Sequence, residues 1–226
     1  MILSLFALLL LFVTANAHAE ETAPDQRAET DQKSSSPPRG GFFQRTYLST
    51  GGHFLSSKDN ILSGFSQQRT SSSRAGGWGI SAEFGGGLGP HLAFAGYFTL
   101  AQFSGIRAQV DDSSVALKDV SFSQIGVGAS LHYFFLEDWY ASVRLGFLSQ
   151  QMLQGPLLDG TSPPGFSDAD LAGPSSGVSA GRDWRLINQL WGGLEARLDM
   201  AALGEDIRSL NTYVLMPQVS LHLMWF

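Results

Sequence analysis

The chain has 226 residues, 43% of them hydrophobic, and a formal charge of −6. That length suits one large β domain, and an acidic chain without a basic stripe has little with which to neutralise a phosphate backbone, which argues against nucleic acid as a partner. Cysteine is absent, so disulfide frameworks, thiolate metal centres, cysteine nucleophiles and an acylated lipoprotein anchor are excluded.

Residues 1–19 read as a signal peptide. Ile2 to Val13 is an almost unbroken apolar run, and Ala17-His18-Ala19 supplies the small-x-small cleavage pattern, although a basic start is missing. The run is shorter than the roughly 20 residues of a full helical span. Residues 20–40 are polar and rich in Pro, Ser and acids, a composition that buries too little surface to offset its ordering entropy. They are expected to form a disordered periplasmic spacer.

Residues 41–226 contain no run of eighteen apolar residues and hence no transmembrane helix. What recurs is a segment of about ten to fourteen residues with period-two alternation, the length of a tilted membrane strand. Eight such segments are expected: Phe42 to Phe54, Gly77 to Leu88, His91 to Phe103, Val120 to Phe134, Trp139 to Gln151, Ser175 to Leu186, Leu190 to Leu203 and Asn211 to Phe226. In the fourth, Ile125, Val127, Ala129, Leu131 and Tyr133 oppose Gln124, Gly126, Gly128, Ser130 and His132. In the fifth, Ala141, Val143, Leu145 and Phe147 oppose Ser142, Arg144 and Gly146.

The connections alternate in length. Gly89-Pro90, Glu137-Asp138 and Asn188-Gln189 mark tight turns, whereas Ser56 to Gly76, Ser104 to Asp119 and Met152 to Pro174 read as long polar loops. Gly204 to Ser209 reads as a short fourth loop. This rhythm is that of an up-and-down outer-membrane barrel, with turns in the periplasm and loops outside. Trp139, Trp184, Trp191 and Trp225 then all fall at the turn end, where an aromatic girdle is expected.

Alternation alone also fits a soluble barrel with the faces exchanged. The second face here is dominated by Gly and Ser, small enough for the narrow interior of eight strands, and the strands carry no Lys. Lipid on the apolar face is therefore the expectation: an all-β, eight-stranded antiparallel transmembrane barrel in the outer membrane of a Gram-negative bacterium. With its signal peptide, strand rhythm and aromatic terminus, the stretch 41–226 resembles the small eight-stranded outer-membrane barrels, such as the transmembrane domain of OmpA and the OmpX type. The resemblance is one of pattern and transfers no functional residue.

Seven charges are expected to point into the lumen: Glu83, Arg144, Asp183, Arg185, Glu195, Arg197 and Asp199. Each must be paired or hydrated there. A closed network would plug the barrel, and a looser one would line a narrow pore. Ser130-x-His132 and Ser220-x-His222 each place a hydroxyl and an imidazole on one face, as a lipid-modifying enzyme of the barrel type would require, but neither has an adjacent carboxylate to orient the His. Asp159, Asp168 and Asp170 lack the spacing of a calcium loop. No catalytic, cofactor or metal site is expected.

The reading favoured is a monomeric, non-enzymatic barrel acting through its outer loops. Its expected partners are outer-membrane lipid and lipopolysaccharide, and the barrel-assembly machinery during insertion. A narrow-pore porin for small solutes and a lipid A-modifying enzyme are the alternatives. In the last segment the apolar phase runs through Val219, Leu221, Leu223 and Trp225, which leaves Phe226 out of step with the lipid-facing side, and Pro217 suggests a bulge.

Overall fold

A computed structural model describes residues 41–57, 70–110, 113–116, 120–135, 138–154, 171–187, 189–204 and 210–226. The expected signal peptide and spacer, the acids Asp159, Asp168 and Asp170, and the loop 205–209 lie outside the described residues. Nine strands form: β1 (Phe42–Ser57), β2 (Thr70–Gly87), β3 (Leu92–Val110), β4 (Ser113–Ala116), β5 (Val120–Phe134), β6 (Trp139–Gln154), β7 (Leu171–Ile187), β8 (Leu190–Leu203) and β9 (Thr212–Trp225).

The eight long strands are hydrogen-bonded in the order β2-β1-β9-β8-β7-β6-β5-β3, and a β2–β3 ladder closes the sheet on itself. The ladders are antiparallel, and β4 folds back along the outer stretch of β3. Closure leaves the eight-strand wall no open edge, so its backbone groups are satisfied without water, the condition for crossing a bilayer with strands. One end of the barrel carries the tight connections around Gly89-Pro90, Asp138 and Gln189, together with Gly41 and Phe226; it is called the turn end here, and the opposite end the loop end. Tight backbone hydrogen bonds, such as Leu88 N to Leu92 O at 2.8 Å, close the turns.

The faces divide as lipid requires. Phe84, Phe94, Phe98, Ile125, Val127, Leu131, Val143, Leu145, Val178, Leu194, Leu221 and Leu223 are exposed on the outside, while Ser81, Glu83, Ser130, His132, Ser142, Arg144, Ser179, Glu195, Ser220 and His222 are buried within. Strands of 14 to 19 residues exceed the 9 to 11 that a tilted strand needs to cross the hydrocarbon layer. The surplus lies mainly at the loop end: β2 begins at Thr70 rather than Gly77, β3 continues to Val110, and β7 begins at Leu171 rather than Ser175. The expected long loops are shorter for this reason. Apolar alternation ends where lipid ends, but the hydrogen-bonded ladder continues through polar residues into water.

The aromatic girdle is narrower than expected. Trp139, Trp184 and Trp225 face outward at the turn end with Tyr133 and Phe135, but Trp191 is only 2% exposed and points inward. It joins Phe43, Ala93, Ala95, Phe134, Tyr140 and Met224 in an apolar layer across the lumen, with Phe226 packed against it. A second apolar layer closes the loop end of the lumen, built from Leu55, Ala75, Ala101, Phe103, Ile106, Phe122, Leu148, Ala201, Leu203, Val214 and Met216. The polar core lies between the two layers.

No bulge forms at Pro217. The β1–β9 partners keep one offset on both sides, Gly51 with Gln218 and Phe54 with Leu215. The ladder simply skips Gly52 and His53, because proline has no N–H to donate and its ring is accommodated on the outer face beside Gly52. The β8–β9 ladder passes Pro217 without a shift. Phe226 follows the inward phase of Ser220, His222 and Met224, and its ring centroid lies 6.4 Å from that of Phe43.

Candidate functional site: the lumen network

Inward-facing positions of all eight long strands bring their polar side chains together between the two apolar layers. Asp183 on β7 joins two other strands: Arg45 Nη2 on β1 donates to its Oδ2 at 2.9 Å, and His222 Nε2 on β9 meets its Oδ1 at 2.7 Å. The Arg45 guanidinium carbon also stands 4.6 Å from the centre of the Tyr140 ring, where the ring quadrupole favours a cation. On the other side of the lumen Glu83 accepts a hydrogen bond from Tyr47 Oη at 2.7 Å and lies 3.2 Å from His132 Nε2 and 3.4 Å from Arg144 Nη2. Arg144 stacks over Tyr97 at 3.9 Å. Arg45 Nη1 donates to Tyr47 Oη at 3.2 Å and so links the two halves.

A third group sits on β8. Glu195 accepts from Tyr140 Oη at 2.9 Å and from Ser179 Oγ at 3.0 Å. Arg197 donates to Gln218 Oε1 at 2.6 Å and pairs with Asp199 at 2.9 Å. Toward the loop end, His53 and Gln124 both reach Gln150 Oε1, at 2.9 and 2.7 Å, and the His53 ring lies between Phe103 and Phe122. Glycine makes the space for the large groups. A β-carbon at Gly193 would overlap the His222 ring, and one at Gly181 would overlap Tyr140.

Of the seven charges expected inside, Glu83, Arg144, Asp183, Glu195 and Arg197 are buried there, and Asp199 is part-buried against Arg197. Arg185 departs from the expectation: it is exposed at the turn end, where the β7–β8 register shifts between Arg185 and Ile187. Sequence reasoning missed Arg45, although it is among the most buried side chains of the lumen. The reason is local. On β1 the inward side carries Phe43 and Tyr47 while the outward side carries Gln44, Thr46 and Thr50, so polarity does not separate the faces.

The two Ser/His pairs also differ from the expectation, because each His does have a carboxylate, supplied from another strand. The geometry is nevertheless not that of a catalytic triad, which needs the hydroxyl on one ring nitrogen and the acid on the other. Ser130 Oγ and Glu83 Oε2 both approach Nε2 of His132, at 3.1 and 3.2 Å, while Nδ1 has no hydrogen-bond partner. In the second pair Ser220 Oγ makes no hydrogen bond, and Asp183 holds His222 through Nε2. Both serines and both histidines are buried. Among the described residues no cluster of His and acid side chains has the arrangement of a metal centre.

Among the described residues one small cavity lies in mid-lumen. Of about 30 Å³ and bounded by Tyr97, Thr99, Gln124, Arg144, Asp199 and Gln218, it has room for about one or two waters. A closed ladder, an apolar exterior and a polar interior of this kind make the chain an eight-stranded transmembrane barrel of the Gram-negative outer-membrane type.

No protein-family model matches the chain, and no curated protein does. Among solved structures it is similar to Neisserial surface protein A, at 19% identity over 82% of this chain and 97% of that one, with a TM-score of 0.47. It is also similar to the outer membrane protein OprG from Pseudomonas aeruginosa, at 15% identity over 84% and 97%, with a TM-score of 0.46. A third likeness is to Ail, the attachment invasion locus protein of Yersinia pestis, at 13% identity over 82% and 99%, with a TM-score of 0.43.

Proposed function

We propose that this barrel resides in the Gram-negative outer membrane and acts as a non-enzymatic structural or surface-interaction protein, working through what its loop end presents rather than through its lumen. The observation that carries the reading is the filled interior. Three guanidiniums, Arg45, Arg144 and Arg197, are paired with Glu83, Asp183 and Asp199, and an apolar layer lies above and another below them. A solute path would have to cross both layers and part the ion pairs between them. An eight-stranded interior is of a size that side chains can fill, and charge pairs desolvated together are costly to separate.

The partners that follow are the lipid and lipopolysaccharide around the apolar belt and the barrel-assembly machinery during insertion, with the protein as a monomer. Planar-bilayer recordings test the reading. Near-silent traces are expected; steady unitary conductance would replace it with the narrow-pore alternative. Cell fractionation, followed by gels of boiled and unboiled samples, tests the location and the barrel in the same preparation. Outer-membrane recovery and a heat-dependent mobility are expected.

A further inference from the structure

The β2–β3 ladder contains an irregularity whose effect is to set two arginines side by side. Below it, Gly76 pairs with Ser104; above it, Arg74 pairs with Arg107, so β3 carries one extra residue between them. Gly105 in that insertion has φ +64°, the left-handed conformation that marks this type of bulge and that glycine adopts without strain. The extra residue inverts the alternation of β3. Ser104 and Gly105 are both exposed, Ile106 turns inward to 1% exposure in the loop-end apolar layer, and Arg107 turns outward. Without the inserted residue, Arg107 would point into that layer.

Arg74 and Arg107 are therefore direct cross-strand partners, and both are exposed on the outside of the wall. Like charges directly opposite each other destabilise a sheet, and among the described residues neither arginine has an ion-pair partner. The pull of Ile106 into the apolar layer accounts for a bulge, but not for a second guanidinium at position 74 facing the first. The height of the pair is informative. Trp78 is the last large apolar residue on the outward face of β2, and Arg74 lies four residues beyond it, roughly 13 Å further along the strand. Trp side chains favour the membrane interface, and on the neighbouring strands exposed Phe54, Leu215 and Tyr213 carry the apolar outer face up to the level of Arg74, so the pair stands at the rim of the apolar belt, where headgroups lie.

Next to the pair is an apolar recess. Phe54 on β1 is the cross-strand neighbour of Arg74, and Leu215 on β9 is that of Phe54. With Met200 and Tyr213 these side chains border an open cavity of about 370 Å³. A double cationic fork beside an apolar recess has the complementarity of an amphiphile with an anionic head.

We propose that Arg74 and Arg107 form a binding site for the phosphate headgroup of a lipid in the outer leaflet, with the recess beside Phe54 receiving one of its chains. This rests on the outer-membrane reading given under Proposed function and adds the residues and the ligand chemistry to it. A phosphate monoester carries close to two negative charges and three acceptor oxygens. Two guanidinium forks can chelate it, and their mutual repulsion is then replaced by attraction to a shared anion.

The test uses the full barrel, folded in detergent and verified by its heat-dependent mobility. Binding of bisphosphorylated lipid A, of the same lipid with both phosphates removed, and of sodium phosphate is measured by native mass spectrometry. Wild type is expected to bind the phosphorylated lipid at least tenfold more tightly than the dephosphorylated one, and sodium phosphate at equal concentration is expected not to displace it. The double variant Arg74→Gln/Arg107→Gln, whose changes are on the exposed face, is expected to keep the mobility shift and lose that preference. The double lysine variant is expected to retain part of it. Equal affinity of wild type and the double glutamine variant for the phosphorylated lipid would overturn the proposal, and efficient competition by sodium phosphate would overturn the lipid as the source of the anion. If wild type fractionates with the outer membrane yet does not discriminate between the lipids, this inference fails and the outer-membrane reading stands. Recovery in another fraction removes both.

Discussion

Asp183 and Arg45 meet at 2.9 Å across the lumen although 138 residues separate them in the chain. Their strands, β7 and β1, are not neighbours in the wall; β8 and β9 lie between them. The ion pair is thus a strut across the barrel, and its removal tests whether the interior stabilises the fold. Arg45→Ala leaves Asp183 with His222 alone and takes the cation from the Tyr140 ring. Breaking one side of a buried pair costs about 3–5 kcal/mol. The urea midpoint in lipid vesicles should fall accordingly. Arg45→Met combined with Asp183→Leu should cost clearly less than the two single changes added together, because no buried charge is then left alone.

The two apolar layers predict which substitutions open a path. Arg144→Ala on its own should leave bilayer traces at baseline, since Phe103 and Phe122 still close one end and Trp191 and Phe43 the other. Adding Phe103→Ala and Trp191→Ala should produce channel events. If Arg144→Ala alone conducts, the charges and not the apolar layers are the barrier.

Gly193 lies opposite Asp183 on β8, with the His222 ring occupying the space of a side chain. Gly193→Ala should force the ring away from Asp183 and lower stability by about 1–3 kcal/mol, the usual range for overpacking. Gly89→Ala in the turn is the control, since a β-carbon there meets nothing within 4 Å. The temperature at which unboiled samples lose their compact mobility should fall for the first and stay put for the second.

Phe226 packs half-buried against Phe43 in the inward phase. Phe226→Ala should lower stability by about 1–2 kcal/mol, less than for a fully buried ring. Trp225→Ala, which removes an outward aromatic, should instead weaken partitioning into the bilayer with a smaller effect on stability in detergent. Denaturation in detergent and vesicle flotation separate the two.

The wall of the barrel was readable from residues because lipid imposes a strict period of two. β5 and β8 occupy the expected spans Val120 to Phe134 and Leu190 to Leu203. Beyond the lipid that period loses its cause, and so the outer extensions of β2, β3 and β7 read as loop. The interior was less legible for the opposite reason. A narrow lumen accepts Phe43, Tyr47 and Trp191 as readily as Ser or Glu, so inward residues on β1 and at the turn end do not look different from outward ones. Which acid meets which base depends on chords across the barrel. Spacing along one strand does not encode that Glu83 reaches His132, or that Asp183 reaches His222. The bulge at Gly105 was silent too, since a single glycine in a Gly-rich chain carries no distinguishing sign.

The wall is also uneven in strength around its circumference. β1 and β9 are nearly the whole barrel apart in sequence, so their ladder completes the ring at the greatest cost in chain entropy. The same ladder is interrupted where Pro217 has no proton to give Gly52 or its neighbour. Ring closure thus falls on a joint whose mid-span lacks two rungs, and thermal opening of the cylinder should begin there. Amide hydrogens flanking Gly51 and Met216 are the ones expected to exchange with solvent deuterium ahead of the rest of the staves.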